Sequence, residues 1–168
     1  DKGIVMITEI KISFDEQKVI DEISTLDLQP GYSNNWWRAK TEELKQFWKK
    51  TDTWLKTIIE DTSNLPEIAR LNSILECDIM YVYKQLANSD LPRHRDYDVI
   101  TAVNLLLTED RAPMTFDHGD IYYKHALIDV SQIHSVKAHP KDRLLLKYAW
   151  HKKTFEEVKS ELTKKGLI

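Results

Sequence analysis

Between Cys77 and Trp150 the chain breaks into six short apolar or alternating runs, each closed by a turn, and no other feature limits its fold as much. The runs cover 77–86, 99–107, 113–116, 121–128, 134–137 and 143–150, rich in β-branched and aromatic residues. Asn88-Ser89-Asp90, Glu109-Asp110-Arg111, His118-Gly119 and Pro140-Lys141-Asp142 supply the turns. Several short strands at this spacing point to a sandwich, a barrel or a jelly roll. The first run places Ile79, Tyr81 and Tyr83 on one parity, the pattern of a half-buried strand.

The flanks read differently. Residues 4–12 alternate loosely and fit a strand. Ser13 with Glu16 has the form of a capping box, and Val19, Ile20, Ile23 and Leu26 recur behind it at helical spacing. After a Gln29-Pro30-Gly31 turn, residues 41–61 keep a helical period through Leu44, Phe47, Trp48, Leu55, Ile58 and Ile59, with a weak point at Thr51-Asp52-Thr53. Pro66 is placed to open a further short helix, since its fixed φ suits a first turn. Residues 154–165 give a closing helix carrying Phe155, Val158 and Leu162. The expected architecture is α+β in one unit: a helix-rich segment 1–76, a jelly-roll core 77–150 and a C-terminal helix within 151–168.

Bulk properties exclude some roles. With 24 basic and 27 acidic residues the net charge is −3, without the basic face that nucleic acid requires. No apolar stretch approaches the roughly 20 residues of a membrane span. The start lacks a secretory core, and Met6 fits a natural initiator. One cysteine, Cys77, cannot form an internal disulfide and fits a reducing cytoplasm. It reads as a small buried hydrophobe.

The chemistry sits in the strand-rich half. His94 and Asp96 stand two residues apart, His134 follows forty residues later and Arg143 nine after that. Two imidazoles and one carboxylate can occupy one face of a metal and leave three positions open, the ligand pattern of non-haem iron(II) oxygenases. A second His-x-Asp, His118-Gly119-Asp120, lies only sixteen residues before His134, too close for intervening strands to set the two apart. His118-Gly119 reads instead as a hairpin turn between Phe116 and Ile121. An arginine fork beyond the distal histidine suits a co-substrate that carries a carboxylate.

Around these residues, Leu91-Pro92-Arg93-His94-Arg95-Asp96-Tyr97, then 104–110, Ile133-His134-Ser135-Val136 and Arg143-Leu144-Leu145-Leu146 resemble bacterial proline 3-hydroxylases. Those enzymes are similar to the aspartyl/asparaginyl β-hydroxylase family of 2-oxoglutarate-dependent oxygenases. The resemblance covers about 77–150, with a fainter echo at Ser33-Asn34-Asn35-Trp36-Trp37-Arg38. It implies a double-stranded β-helix, cupin-like in shape, binding Fe(II) through His94, Asp96 and His134. It also implies that Arg143 pairs with the distal carboxylate of 2-oxoglutarate, with Tyr83 and Asn104 assisting. Relatives often carry arginine or histidine on the strand where this chain has Thr101-Ala102-Val103-Asn104, so Asn104 stands in by hydrogen bonding. Arg95, Trp36 and Trp37 are candidates for the substrate wall. The implied activity is hydroxylation of an amino acid, free or within a peptide, proline or Asp/Asn-like. The alternatives are a cupin-type metal enzyme without 2-oxoglutarate and a non-catalytic binding module on the same fold. The expected partner is a small molecule or peptide, with neither nucleic acid nor membrane.

Overall fold

The computed structural model describes residues 6–30, 39–108 and 110–168. Among them, eleven strands form two antiparallel sheets. In chain order the major-sheet strands are β1 (Ile7–Glu9), β2 (Gln29–Pro30), β3 (Trp54–Ile59), β4 (Ile79–Gln85), β6 (Thr101–Leu106), β9 (His125–Asp129) and β11 (Arg143–Trp150). Their spatial order is β1-β9-β6-β11-β4-β3-β2. The minor sheet holds β5 (Leu91–His94), β7 (Ala112–Phe116), β8 (Gly119–Tyr123) and β10 (His134–Val136), in the order β5-β10-β7-β8. Strands that alternate between two facing sheets make this a double-stranded β-helix, the jelly roll expected from the strand spacing.

Period-two alternation sorts each strand's residues onto two sides. On β11, Leu146, Tyr148 and Trp150 pack under the helices α1 (Glu16–Ile23), α3 (Pro66–Leu75) and α4 (Phe155–Lys164), with Val19, Ile68, Leu71, Phe155, Val158 and Leu162. The opposite parity, Arg143, Leu145 and Lys147, faces a cavity between the sheets. Tyr81 and Tyr83 of β4 and Asn104 of β6 share that face. Polar residues on an inner sheet face contradict simple core packing, and such conflicts concentrate at functional sites.

Four expectations need correction. The helix over 41–61 is two elements: α2 (Glu42–Lys49), capped by Thr41, and strand β3. Leu55, Ile58 and Ile59 satisfy a helical period, but pairing with β4 decides the matter, placing Lys56 opposite Tyr83 and Ile58 opposite Tyr81. The cap of α1 is Asp15 rather than Ser13, because the Asp15 carboxylate accepts the Lys18 N–H at 3.1 Å. The run 121–128 divides into β8 and β9 around Lys124. The segment 91–94, outside every expected strand, is itself strand β5. The strand expected over 4–12 spans Ile7–Glu9, with residues 1–5 outside the described residues. Helices α3 and α4 lie where expected. No described helix is long and apolar enough to cross a membrane.

The helical layer is tied down by carboxylates. Leu65 offers α3 no side-chain cap, so Glu22, from α1, accepts the Glu67 and Ile68 N–H groups at 2.9 and 3.0 Å. Glu67 in turn accepts from Arg70 at 2.6 Å and from the Asp15 backbone at 3.0 Å, and these bonds depress its pKa to about 2. A depressed carboxylate stabilises the fold above its unfolded pKa, near 4.5, and this contribution fades as pH falls towards 2. Glu67→Gln is therefore expected to melt below the wild type at pH 7, with the gap closing between pH 4.5 and 2 in a series of thermal melts. A gap that stays constant with pH would contradict it.

Candidate metal centre

The two sheets bring the three ligand candidates together. His94 ends β5 and His134 begins β10, and the register places them directly opposite each other. Their ring centroids lie 4.5 Å apart. Asp96 follows β5 on a segment pinned by its own N–H, which donates to the Val130 carbonyl at 3.0 Å. Donor atoms of His94, Asp96 and His134 all lie within 4.8 Å of one another. The four strands β6 to β9 fill the interval between His94 and His134, as the forty-residue spacing required.

The orientation of the rings suits a metal. Each histidine Nδ1 lies 2.7 Å from a backbone carbonyl, that of Pro92 for His94 and that of Gln132 for His134. A carbonyl can only accept, so each Nδ1 carries the proton and each Nε2 keeps its lone pair. Both Nε2 atoms stand 3.4 Å from the same Asp96 oxygen, Oδ1. Histidine ligands characteristically donate their second N–H to a carbonyl or carboxylate, which fixes tautomer and ring plane. Converging lone pairs, a shared carboxylate oxygen and this outer support fit a divalent metal.

The other Asp96 oxygen has a partner on β11. Lys147 Nζ lies 2.5 Å from Asp96 Oδ2, and both side chains are largely buried. Burial works to raise the Asp96 carboxyl, but the Lys147 ammonium beside it outweighs burial and holds it well below the usual carboxylate range. Removing one member of a buried pair strands the other charge. Lys147→Met is accordingly expected to cost the metal-free protein about 3 kcal/mol in denaturant unfolding. Added Ni(II) should then raise its melting temperature by more than it raises that of wild type, because only the metal is left to neutralise Asp96. Equal shifts would show that Lys147 carries no such load.

Arg143 opens β11 and is 7% exposed. Its Nε donates to Gln85 Oε1 at 2.8 Å and one Nη to the Lys137 carbonyl at 3.1 Å, which holds the fork at the cavity wall. Tyr83 lines the same cavity, stacked on Tyr81 at 5.7 Å and edge-on to Trp54. Asn104 lines it too, its Nδ2 donating to the Tyr123 hydroxyl at 3.1 Å while its Oδ1 is buried without a hydrogen-bond partner. Burial raises the pKa of Tyr123 despite that bond, so the hydroxyl keeps its proton and can donate. Arg95 is exposed at the mouth, whereas Arg93 pairs with Asp117 at 2.7 Å. Trp36 and Trp37 lie outside the described residues. The cavity has about 180 Å³ of room, walled by Trp48, Trp54, Tyr81 and Tyr97.

His118 stands apart. With Asp117 it makes the two-residue turn of the β7–β8 hairpin, closed by Gly119 at a φ of +118° that favours glycine. Its neighbour Asp120 is engaged by Lys137 and Thr115, each at 2.6 Å. Sequence reading missed Tyr123, Gln85 and Lys56 as cavity residues. For Tyr123 and Gln85 the inner-face parity of their strands was the available signal.

No protein-family model matches the chain, and no curated protein matches its sequence. Solved structures do. A prolyl-4-hydroxylase from Pseudomonas putida superposes with a TM-score of 0.53 at 13% identity, over 88% of this chain and 92% of that one. A 2OG-Fe(II) oxygenase family oxidoreductase from Burkholderia pseudomallei gives 0.55 at 12%, over 82% and 79%. HygX from Streptomyces hygroscopicus, solved with nickel and 2-oxoglutarate bound, gives 0.56 at 12%, over 89% and 85%. At such identities the likeness shows a shared fold.

Proposed function

We propose that this chain is an Fe(II)- and 2-oxoglutarate-dependent dioxygenase that hydroxylates an amino acid, free or within a peptide. The observation that carries the reading is the His94, Asp96, His134 cluster, with both imidazole Nδ1 atoms tied to carbonyls and both Nε2 atoms turned to one carboxylate oxygen. The oxygenases of shared fold support it.

In this reading His94 and His134 hold iron through Nε2 and Asp96 through Oδ1. Iron held there would activate O2, which is the oxidant both for 2-oxoglutarate, giving succinate and CO2, and for a substrate C–H, giving an alcohol. The chain's own residues bind, orient and exclude water. Arg143, already fixed by Gln85 and the Lys137 carbonyl, pairs its remaining donors with the distal carboxylate of 2-oxoglutarate. Tyr123 and Asn104 hydrogen-bond to the co-substrate beside it, and Tyr83 closes the wall. Lys147 keeps Oδ2 of Asp96 occupied, which leaves Oδ1 for the metal.

The test is succinate formation by purified protein supplied with Fe(II), 2-oxoglutarate, O2 and a panel of amino acids and peptides. Succinate that rises with one of these and disappears with a chelator supports the reading; none under any condition contradicts it. One observation favours a second reading, a non-catalytic binding module on this fold: Lys147 satisfies Asp96 without a metal. That module would bind its ligand with undiminished affinity in the presence of chelator.

A further inference from the structure

Asn104 is 3% exposed on the inner face of β6, and only half of its amide is satisfied. Its Nδ2 donates to the Tyr123 hydroxyl, whereas its Oδ1 is buried with no hydrogen-bond partner among the described residues. The neighbours explain why. Ala102 and Leu106 share its strand face, and Ala126 stands across the ladder with β9, all without a polar side chain. On the other flank its register partner is Lys147 of β11, whose ammonium is bonded to Asp96. Buried acceptors are nearly always paired, and one left alone disfavours the state that holds it. The group that completes Asn104 therefore enters the cavity from outside.

The co-substrate cannot be that group. 2-Oxoglutarate is ionised at both carboxylates at neutral pH, and its keto oxygen adds a further acceptor, so it carries no N–H or O–H. It can take the second Nδ2 hydrogen and the Tyr123 proton while the Asn104 Oδ1 stays unmet. A donor on the substrate meets it.

The charge around Asn104 limits the kind of donor. Burial raises the pKa of Tyr123; the bond from Asn104, then the charges of Arg143 and Lys147, work against it, so both cations act at this place. An ammonium brought here would meet two like charges, whereas an uncharged N–H avoids that repulsion. The register also fixes where the donor lies. Asn104 is one strand from Lys147, whose ammonium reaches Asp96, so a group bonded to Oδ1 sits beside the metal centre.

We propose that Asn104 is a specificity-determining residue whose Oδ1 accepts an uncharged amide N–H of the substrate, so that the substrate is a peptide or another amide and is not recognised through a free amine. The inference rests on the dioxygenase reading and narrows its substrate.

The experiment uses the full chain loaded with Zn(II) and saturating 2-oxoglutarate, which binds without turning over. It is titrated calorimetrically with short peptides and N-acetyl amino-acid amides, with the same compounds methylated at each amide nitrogen in turn, and with free amino acids. At least one amide is expected to bind at least about tenfold more tightly than one of its N-methyl counterparts and than the free amino acid. Asn104→Leu should erase the preference for N–H while Zn(II) is still bound. Asn104→Asp keeps an acceptor at the same place and should retain the preference; if Asn104→Leu does not fold, loss of the preference in Asn104→Asp still overturns the inference. N-methylated compounds binding as well as their parents, free amino acids binding more tightly than amides, or no amide binding would each overturn it. So would a preference that persists in Asn104→Leu, since the methyl group would then be excluded by bulk alone. If wild type takes up no Zn(II) or 2-oxoglutarate, the failure lies in the dioxygenase reading and is visible before any amide is added; the inference falls with it.

Discussion

Replacing His134 with alanine is expected to remove metal binding from a protein that still folds. His134 supplies one of three donors that converge within 4.8 Å, and it is 4% exposed at the start of a three-residue strand. Outer partners of metal ligands alone change affinity by roughly 10–100-fold, so loss of a ligand should exceed about 100-fold. The helical-side core, built on Ile68, Leu71, Leu146 and Trp150, lies across the major sheet and is untouched. Calorimetric titration with Ni(II) should show saturation in wild type and none in His134→Ala, with unchanged far-ultraviolet dichroism. His118→Ala is the control: that side chain is exposed in a hairpin turn, and its affinity should equal that of wild type. A loss at His118 would mean that the wrong His-x-Asp had been assigned.

Arg143→Ala is expected to separate co-substrate binding from metal binding. The guanidinium touches none of the three ligands; its contacts are Gln85 and the Lys137 carbonyl. Removing one partner of a buried ion pair costs about 3–5 kcal/mol, and two existing bonds on the fork place Arg143 at the low end. The half-saturating 2-oxoglutarate concentration should therefore rise on the order of 100-fold, with Ni(II) affinity unchanged. Arg143→Lys should recover part of this, since a lysine keeps the charge and loses the planar fork. Loss of metal in Arg143→Ala would count against the assignment.

The jelly roll was legible because its strands are short, regularly spaced and separated by turn residues. The triad was legible because a His-x-Asp pair and a distant histidine survive as a spacing pattern even when the strands between them are misjudged. What stayed hidden depends on contacts between residues far apart in the chain. Strand β3 was read as helix because Leu55, Ile58 and Ile59 also fit a 3.6 period, and Lys56 went unnoticed with it. Lys147 shares the inner strand face with Arg143, and nothing in that run of residues points to Asp96. Its bond to Asp96 crosses from one sheet to the other and leaves no trace in local sequence. Asp15 displaced Ser13 as a cap because Asp15 is also held by Glu67, fifty-two residues away. Trp36 and Trp37 fall outside the described residues, so their candidate role stays an expectation.

The most direct test of the central claim is an anaerobic titration of the protein with Fe(II), with and without 2-oxoglutarate, followed in the visible for the weak charge-transfer band of the chelated keto acid. The dioxygenase account predicts a saturable band that needs both components and is absent in His134→Ala. Iron binding without a band, or no iron binding at all, would contradict it.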